Sequence, residues 1–330
     1  MPDGFDLAPK VELHLHLEGA IPLDTLWQLV EGYGGDPAVT DRSALDHHLT
    51  YTSFAHFIDT WWWMTGFIRT YSDFELVAES VASDLARQNI VYAEASFSPT
   101  DFERHGLTVP GIALAIRRGL DRVAGVHVVL NCDLVRDTGP ERAMGTLVEV
   151  LDVAPAIDIR GITIGGSEQA YPPELFVSVY KHARSNGLRL TAHAGEAAGA
   201  ASVRGALDTL GVERIGHGIR AIEDHQLLQS LVAEQVPLEV CPTSNIRTGV
   251  VDGWETHPVG ELLAAGANVT ISSDDPTFFH TSVAEDLREV ASRYGAAPHG
   301  LTRRAIEASW MTATEKTSVS SLVDRWWREP

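Results

Sequence analysis

Basic side chains are scarce in this chain of 330 residues: lysine and arginine number 25 against 45 aspartates and glutamates, a formal net charge of -20. So acidic a surface repels phosphate backbones and anionic headgroups, which argues against nucleic-acid and membrane partners and leaves a small molecule as the default ligand. Cysteine is scarcer still. Cys132 and Cys241 both sit in apolar, strand-like runs, so buried free thiols are expected rather than a disulfide. No apolar run approaches the roughly 20 residues that cross a bilayer. The opening MPDGFDLAPK is short and polar, without a charged segment leading into an apolar one, and the expected address is the cytoplasm. No GxGxxG comes after the first strand-like run, so an open dinucleotide-binding sheet lacks its main support. Repeats, low-complexity tracts and linkers are missing too, and 1–330 reads as a single domain.

What the chain does have is short β-rich runs alternating with amphipathic ones, at 44% hydrophobic content. Strands are predicted near 11–17, 90–97, 126–134, 160–166, 188–193, 213–217, 236–241 and 268–274. Between them, 172–187 sets Leu175, Val179 and Ala183 on one helical face and stops at Gly187, while 202–211 and 223–235 are also amphipathic. Eight strands alternating with helices predict an α/β fold, a (β/α)8 TIM-type barrel, with an open doubly wound sheet as runner-up. The interval between the first two strands, roughly 18–89, is too long for one crossover and should carry extra helices. It contains FAHFIDTWWWMTGF (54–67), whose aromatics around Trp61–Trp63 serve either as core or as an apolar lid over the barrel mouth.

Polar residues fall where the strands end. VELHLHLEGA (11–20) puts His14 and His16 side by side on one strand face, because alternate residues point the same way. A lone histidine is usually solvated or bonded to nearby backbone. Here His193 in TAHAGE (191–196), His217 in RIGHG (214–218), and Asp274 with Asp275 in SSDDP (272–276) end further strands. In a parallel barrel all strands open their C-terminal ends on one face, so these residues converge. Three imidazoles and a carboxylate suit one Zn2+, with His14, His16, His193 and Asp274 as ligands and one position left for water. His217 is then free to take that water's proton, and Glu196, three residues beyond His193, offers a carboxyl group to protonate a substrate. Asp275 points away from Asp274 if the strand continues, and joins it if a turn intervenes before Pro276. His47, His48, His182 and His225 lie on helical or loop segments and are expected on the surface.

HLHLEGA (14–20), TAHAGE, RIGHG, EVCPTSN (239–245) and SSDDP together resemble the adenosine deaminase family of metal-dependent hydrolases, in the family's order across essentially the whole chain. The resemblance implies a one-zinc barrel that hydrolyses the exocyclic 6-amino group of an adenine ring to ammonia. It implies that Glu196 protonates ring N1, His217 activates the attacking water, and Asp274 ligates zinc and orients that water. Asp275 would contact N7, the Gly166 amide in IGGSE (164–168) would contact N3, and His16 and Glu18 would also face the substrate. Two positions depart from the pattern. Nucleoside-specific members carry Asp after HxHL, where it bonds a ribose hydroxyl, whereas Glu18 stands here as it often does in adenine deaminases. GGSE also replaces the more usual AGDE.

The expected reaction is therefore adenosine to inosine, or deamination of a similar 6-aminopurine nucleoside. The alternatives are adenine and 5'- or N6-modified adenosines, and more remotely a non-catalytic purine-binding barrel. Related binuclear hydrolases bridge two metals with a lysine on strand four; Lys10, Lys181 and Lys316 are the only lysines, and none ends a predicted strand. The zinc deaminases with an HxE…PCxxC signature need a cysteine pair that two distant cysteines cannot supply.

Overall fold

The computed structural model describes residues 4–51 and 54–328. Eight parallel strands hydrogen-bond in sequence order: β1 (Lys10–His16), β2 (Ile90–Phe97), β3 (His127–Asp133), β4 (Ile159–Thr163), β5 (Arg189–Ala194), β6 (Arg214–His217), β7 (Leu238–Val240) and β8 (Val269–Ile271). Helices separate them, and the architecture is the (β/α)8 barrel. Residues 272–274, just beyond β8, close the barrel onto β1. The Asp274 N–H donates to His14 O (3.1 Å) and the His16 N–H donates to Asp274 O (2.9 Å). Ser272 Oγ accepts from the N–H groups of Leu13 and His14. The seam of the barrel is thus made by the segment that carries the candidate carboxylates.

Two strands stop three residues short of their predicted ends. Residues 164–166 fall outside β4 and 272–274 outside β8. Gly166 (φ 103°) and Asp274 (φ 67°) adopt left-handed backbone that extended strand does not continue through. The predicted helix at 172–187 also begins differently. A 3-10 turn, Pro173–Phe176, precedes the α-helix Val177–Ser185. Its tighter winding changes the phase, so Val179 and Ala183 are buried while Leu175 is 46% exposed.

Among the described residues, the interval between β1 and β2 holds four α-helices, Leu23–Gly32, Arg42–His48, Phe54–Thr65 and Tyr71–Arg87. The last returns the chain to β2 and starts at a capping box in which Thr70 and Asp73 bond each other's backbone N–H. The main apolar core lies between the strands and their covering helices. A smaller cluster joins Val11, Leu13, Tyr92 and Val129 to Ala305, Ile306, Met311 and Val323 of the C-terminal helices. A fully buried charge, Arg214, pairs with Glu94 and Glu239 and lies 3.9 Å over the Trp310 ring. Two carboxylates offset the cost of burying that guanidinium. Both cysteines are buried and free, and among the described residues no helix is long and apolar enough to cross a membrane.

Candidate active site

At the C-terminal ends of the strands, His14, His16, His193 and Asp274 bring one ligand atom each within 4.8 Å of the others. Asp274 Oδ1 lies 3.5 Å from His14 Nε2 and 3.3 Å from His16 Nε2, and the Nε2 atoms of His16 and His193 are 3.1 Å apart. The outer ring nitrogens of two of these histidines have partners: His14 Nδ1 meets Glu239 Oε2 at 3.0 Å and His193 Nδ1 meets Thr163 Oγ1 at 3.3 Å. Such contacts turn each Nε2 inward, as is usual around metal-binding histidines.

The donors fit a divalent cation. His14 Nε2 is buried without a hydrogen-bond partner, and three imidazoles with one carboxylate suit zinc. The surrounding charge calls for a cation too. Burial opposes charge on His14, yet Asp274 and Glu239 outweigh it and push His14 up to about 9. Burial is likewise outweighed at His16 by Asp275 and Asp274, which push it up to about 10. A second group, His217, Cys241 and Asp274, is equally close. There the Cys241 thiol donates to Glu239 O at 3.5 Å and burial raises its pKa well above the usual range, so it stays protonated and is the poorer ligand.

His217 and Asp274 both hold left-handed backbone, at φ 60° and φ 67°. Such strain is uncommon outside glycine and clusters at functional sites. The EVCPTSN segment braces both. Ser244 Oγ donates to Asp274 Oδ2 at 2.6 Å, and Asn245 Nδ2 sits 3.1 Å from His217 Nδ1. The opposite ring nitrogen, His217 Nε2, faces Glu196 Oε2 at 3.5 Å and Asp274 Oδ2 at 3.9 Å. Burial pushes His217 down to about 3, so its ring is neutral. The Glu196 carboxyl keeps 21% exposure, yet desolvation, reinforced by Asp274 and Glu168, pushes it up to about 8. It therefore carries a proton near neutral pH, which suits a general acid.

A cavity of about 290 Å³ opens beside this cluster, lined by His16, His193, Glu196, His217, Asp274 and Asp275 and also by Gly166, Asp101, Asp133 and Asp137. Asp275 joins the site because the left-handed turn at Asp274 breaks the strand alternation that would have sent it away. Phe57, Ile58, Trp61 and Trp62 also face the cavity, so part of the aromatic segment covers the mouth. Trp63 instead packs against Phe67 and His48 and donates to Asp36, holding its helix down. That contact leaves His48 half-buried, while His47, His182 and His225 are exposed as expected.

Glu18 is not brought to the cavity. It is fully buried, its Oε1 accepts the Ser98 N–H at 3.0 Å, and its Oε2 has no partner. Other residues belong to the site although their sequence context assigns them no part. Glu239, Ser244 and Asn245 lie within EVCPTSN, where residue type alone does not tell their roles. Arg136, with no local signal in LVRDTG (134–139), is fully buried and donates to Ile164 O and His193 O at 3.1 and 2.5 Å, tying the ends of β4 and β5 together.

A (β/α)8 barrel with three imidazoles and a carboxylate gathered at its C-terminal mouth has the make-up of a metal-dependent hydrolase. The family described as adenosine deaminase matches residues 9–326, and the chain belongs to that family. The aminodeoxyfutalosine deaminase of Streptomyces avermitilis is 35% identical over 327 residues, 96% of this chain and 90% of that one. An adenine deaminase structure from Arthrobacter aurescens matches with a TM-score of 0.89 at 32% identity, covering 98% of this chain and 100% of its own. An amidohydrolase from Burkholderia ambifaria, solved with bound zinc, matches at 0.88 and 26%, covering 99% and 94%. The protein is a hydrolytic deaminase of C–N bonds in adenine-type purines.

Proposed function

We propose that the substrate is a 6-aminopurine nucleoside of the adenosine type, deaminated with one zinc ion held by His14, His16, His193 and Asp274. Zinc bound there supplies Lewis acidity that makes water a nucleophile at neutral pH. Glu196 holds the proton that ring N1 takes up, which drains electron density from C6. His217 is neutral, and with the Asn245 amide turned so that Oδ1 accepts its Nδ1–H, Nε2 accepts the proton of the attacking water. Asp275 and the Gly166 amide orient the purine through N7 and N3, and Trp61 and Trp62 exclude bulk water.

The reach of the cavity favours a nucleoside over the free base. Its lining includes Asp101, Asp137 and Trp62 besides the cluster, and these carboxylates can accept from hydroxyl groups. Among the described residues no lysine or arginine lines it, so a phosphate would lack a counter-charge. Ammonia release is expected from adenosine, tested in parallel with 2'-deoxyadenosine, adenine, AMP and 5'- and N6-substituted adenosines. Turnover of adenine alone would overturn the nucleoside reading. Adenine is the second reading, favoured by Glu18: bonded to Ser98, it cannot serve as the usual sugar-binding residue.

Gly19 offers a separate check on Asp275. A Cβ at Gly19 would lie 1.8 Å from Asp275 Oδ1, so Gly19→Ala must displace that carboxylate. The expected result is a fall in kcat/KM of up to ~100-fold with zinc content unchanged, the cost of roughly 1 Å of misplacement. Wild-type kinetics in this variant would remove Asp275 from substrate recognition.

A further inference from the structure

The GGSE segment carries a residue that the proposed chemistry does not use. Glu168 is 3% exposed and reaches from beyond β4 to the loop beyond β5. Its carboxylate accepts four consecutive backbone N–H groups. Oε1 takes Gly195 (2.5 Å), while Oε2 takes Glu196 (3.2 Å), Ala197 (2.8 Å) and Ala198 (2.9 Å). Carbonyls of the same loop are held from other sides. Gln169 Nε2 donates to Ala197 O and Arg220 Nε to Glu196 O, both at 2.8 Å.

Residues 195–199 belong to no strand or helix, so no ladder holds these N–H groups in place. Four donors converging on one carboxylate make the kind of nest that binds anions elsewhere, filled here by the protein's own side chain. One of those donors is the N–H of Glu196 itself. A proton donor must be held within about 0.5 Å of its working position, and the groups supporting it determine whether it is.

We infer that Glu168 is a positioning residue for Glu196, its carboxylate fixing the backbone from which the proton donor projects. The inference rests on Glu196 acting as that donor. It also explains why this carboxylate lies buried beside another one: an amide at position 168 would turn an N–H toward N–H donors.

The test is a double-mutant cycle on the zinc-loaded enzyme, combining Glu168→Gln with Glu196→Gln and reading kcat, KM and zinc content. Glu168→Gln alone should lower kcat by ~10–100-fold with KM and zinc little changed, and amide exchange at 195–198 should quicken. In the Glu196→Gln background the same change should cost less than about twofold, because the group it positions is already gone. Losses that multiply in the double variant would overturn the inference and leave Glu168 a general structural support. Glu168→Asp keeps the charge but shortens the reach, and carries the test if Glu168→Gln does not fold; it should recover part of the lost kcat. Wild-type kcat in either Glu168 variant, with Glu196→Gln inactive, overturns the inference alone. A Glu196→Gln enzyme of near-normal rate overturns the assigned donor, and the inference with it.

Discussion

Glu196→Gln is expected to lower kcat by at least ~100-fold and to leave bound zinc at its wild-type level. The amide has nearly the shape of the acid, so packing around the loop at 195–198 should survive. What it loses is a transferable proton. Glu196 stands outside the group of four ligand atoms, and its Oε2 lies 3.5 Å from His217 Nε2, within the cavity lining. Burial and the neighbouring carboxylates raise it to about 8, a value that keeps the acid form populated near neutral pH. The loss should therefore fall on kcat, with KM nearly unchanged. A near-normal rate, or loss of the metal, would show that the carboxyl has some other role.

Asp274→Asn is expected to be more severe, a loss of more than ~10³-fold accompanied by loss of zinc. One carboxylate meets most of the site. Its Oδ1 faces the Nε2 atoms of His14 and His16, while its Oδ2 accepts from Ser244 and lies 3.9 Å from His217 Nε2. Asparagine tolerates the left-handed backbone at φ 67°, so the turn that aims Asp275 should persist. The variant thus removes charge while keeping shape. Elemental analysis should find about one zinc per chain in the wild type and far less in the variant. Full zinc occupancy together with activity would exclude Asp274 as a ligand.

Residues whose chemistry and place in a strand coincide are the ones the barrel brings together as their sequence pattern implies. His14 and His16 share a face because strand alternation is local, and His193 and His217 join them because the parallel barrel gathers strand ends. Glu18, inside the HLHLEGA stretch, turns instead to the Ser98 N–H just beyond β2. No local pattern marks Arg136, whose partners Ile164 O and His193 O are 28 and 57 residues away. For Leu175 the periodicity was sound, but a 3-10 turn at Pro173–Phe176 changed the phase.

The sequence by itself determined the eight-strand alternation, the insertion after β1, and which three imidazoles and carboxylate cluster at the strand ends, since these depend on residue type and short-range period. Only the tertiary structure decided how the carboxylates divide the work. Asp274 and Asp275 are neighbours in the chain, yet both face the cavity because the closing seam of the barrel holds Asp274 at positive φ through bonds to His14 and His16. Glu168 and Glu196 are both acidic residues near strand ends, but one is spent on four N–H groups and the other left free to carry a proton. No local pattern marks that difference. A side chain's hydrogen-bond partners are set by which loops the barrel brings side by side, and a non-glycine residue enters left-handed backbone only where its surroundings hold it there.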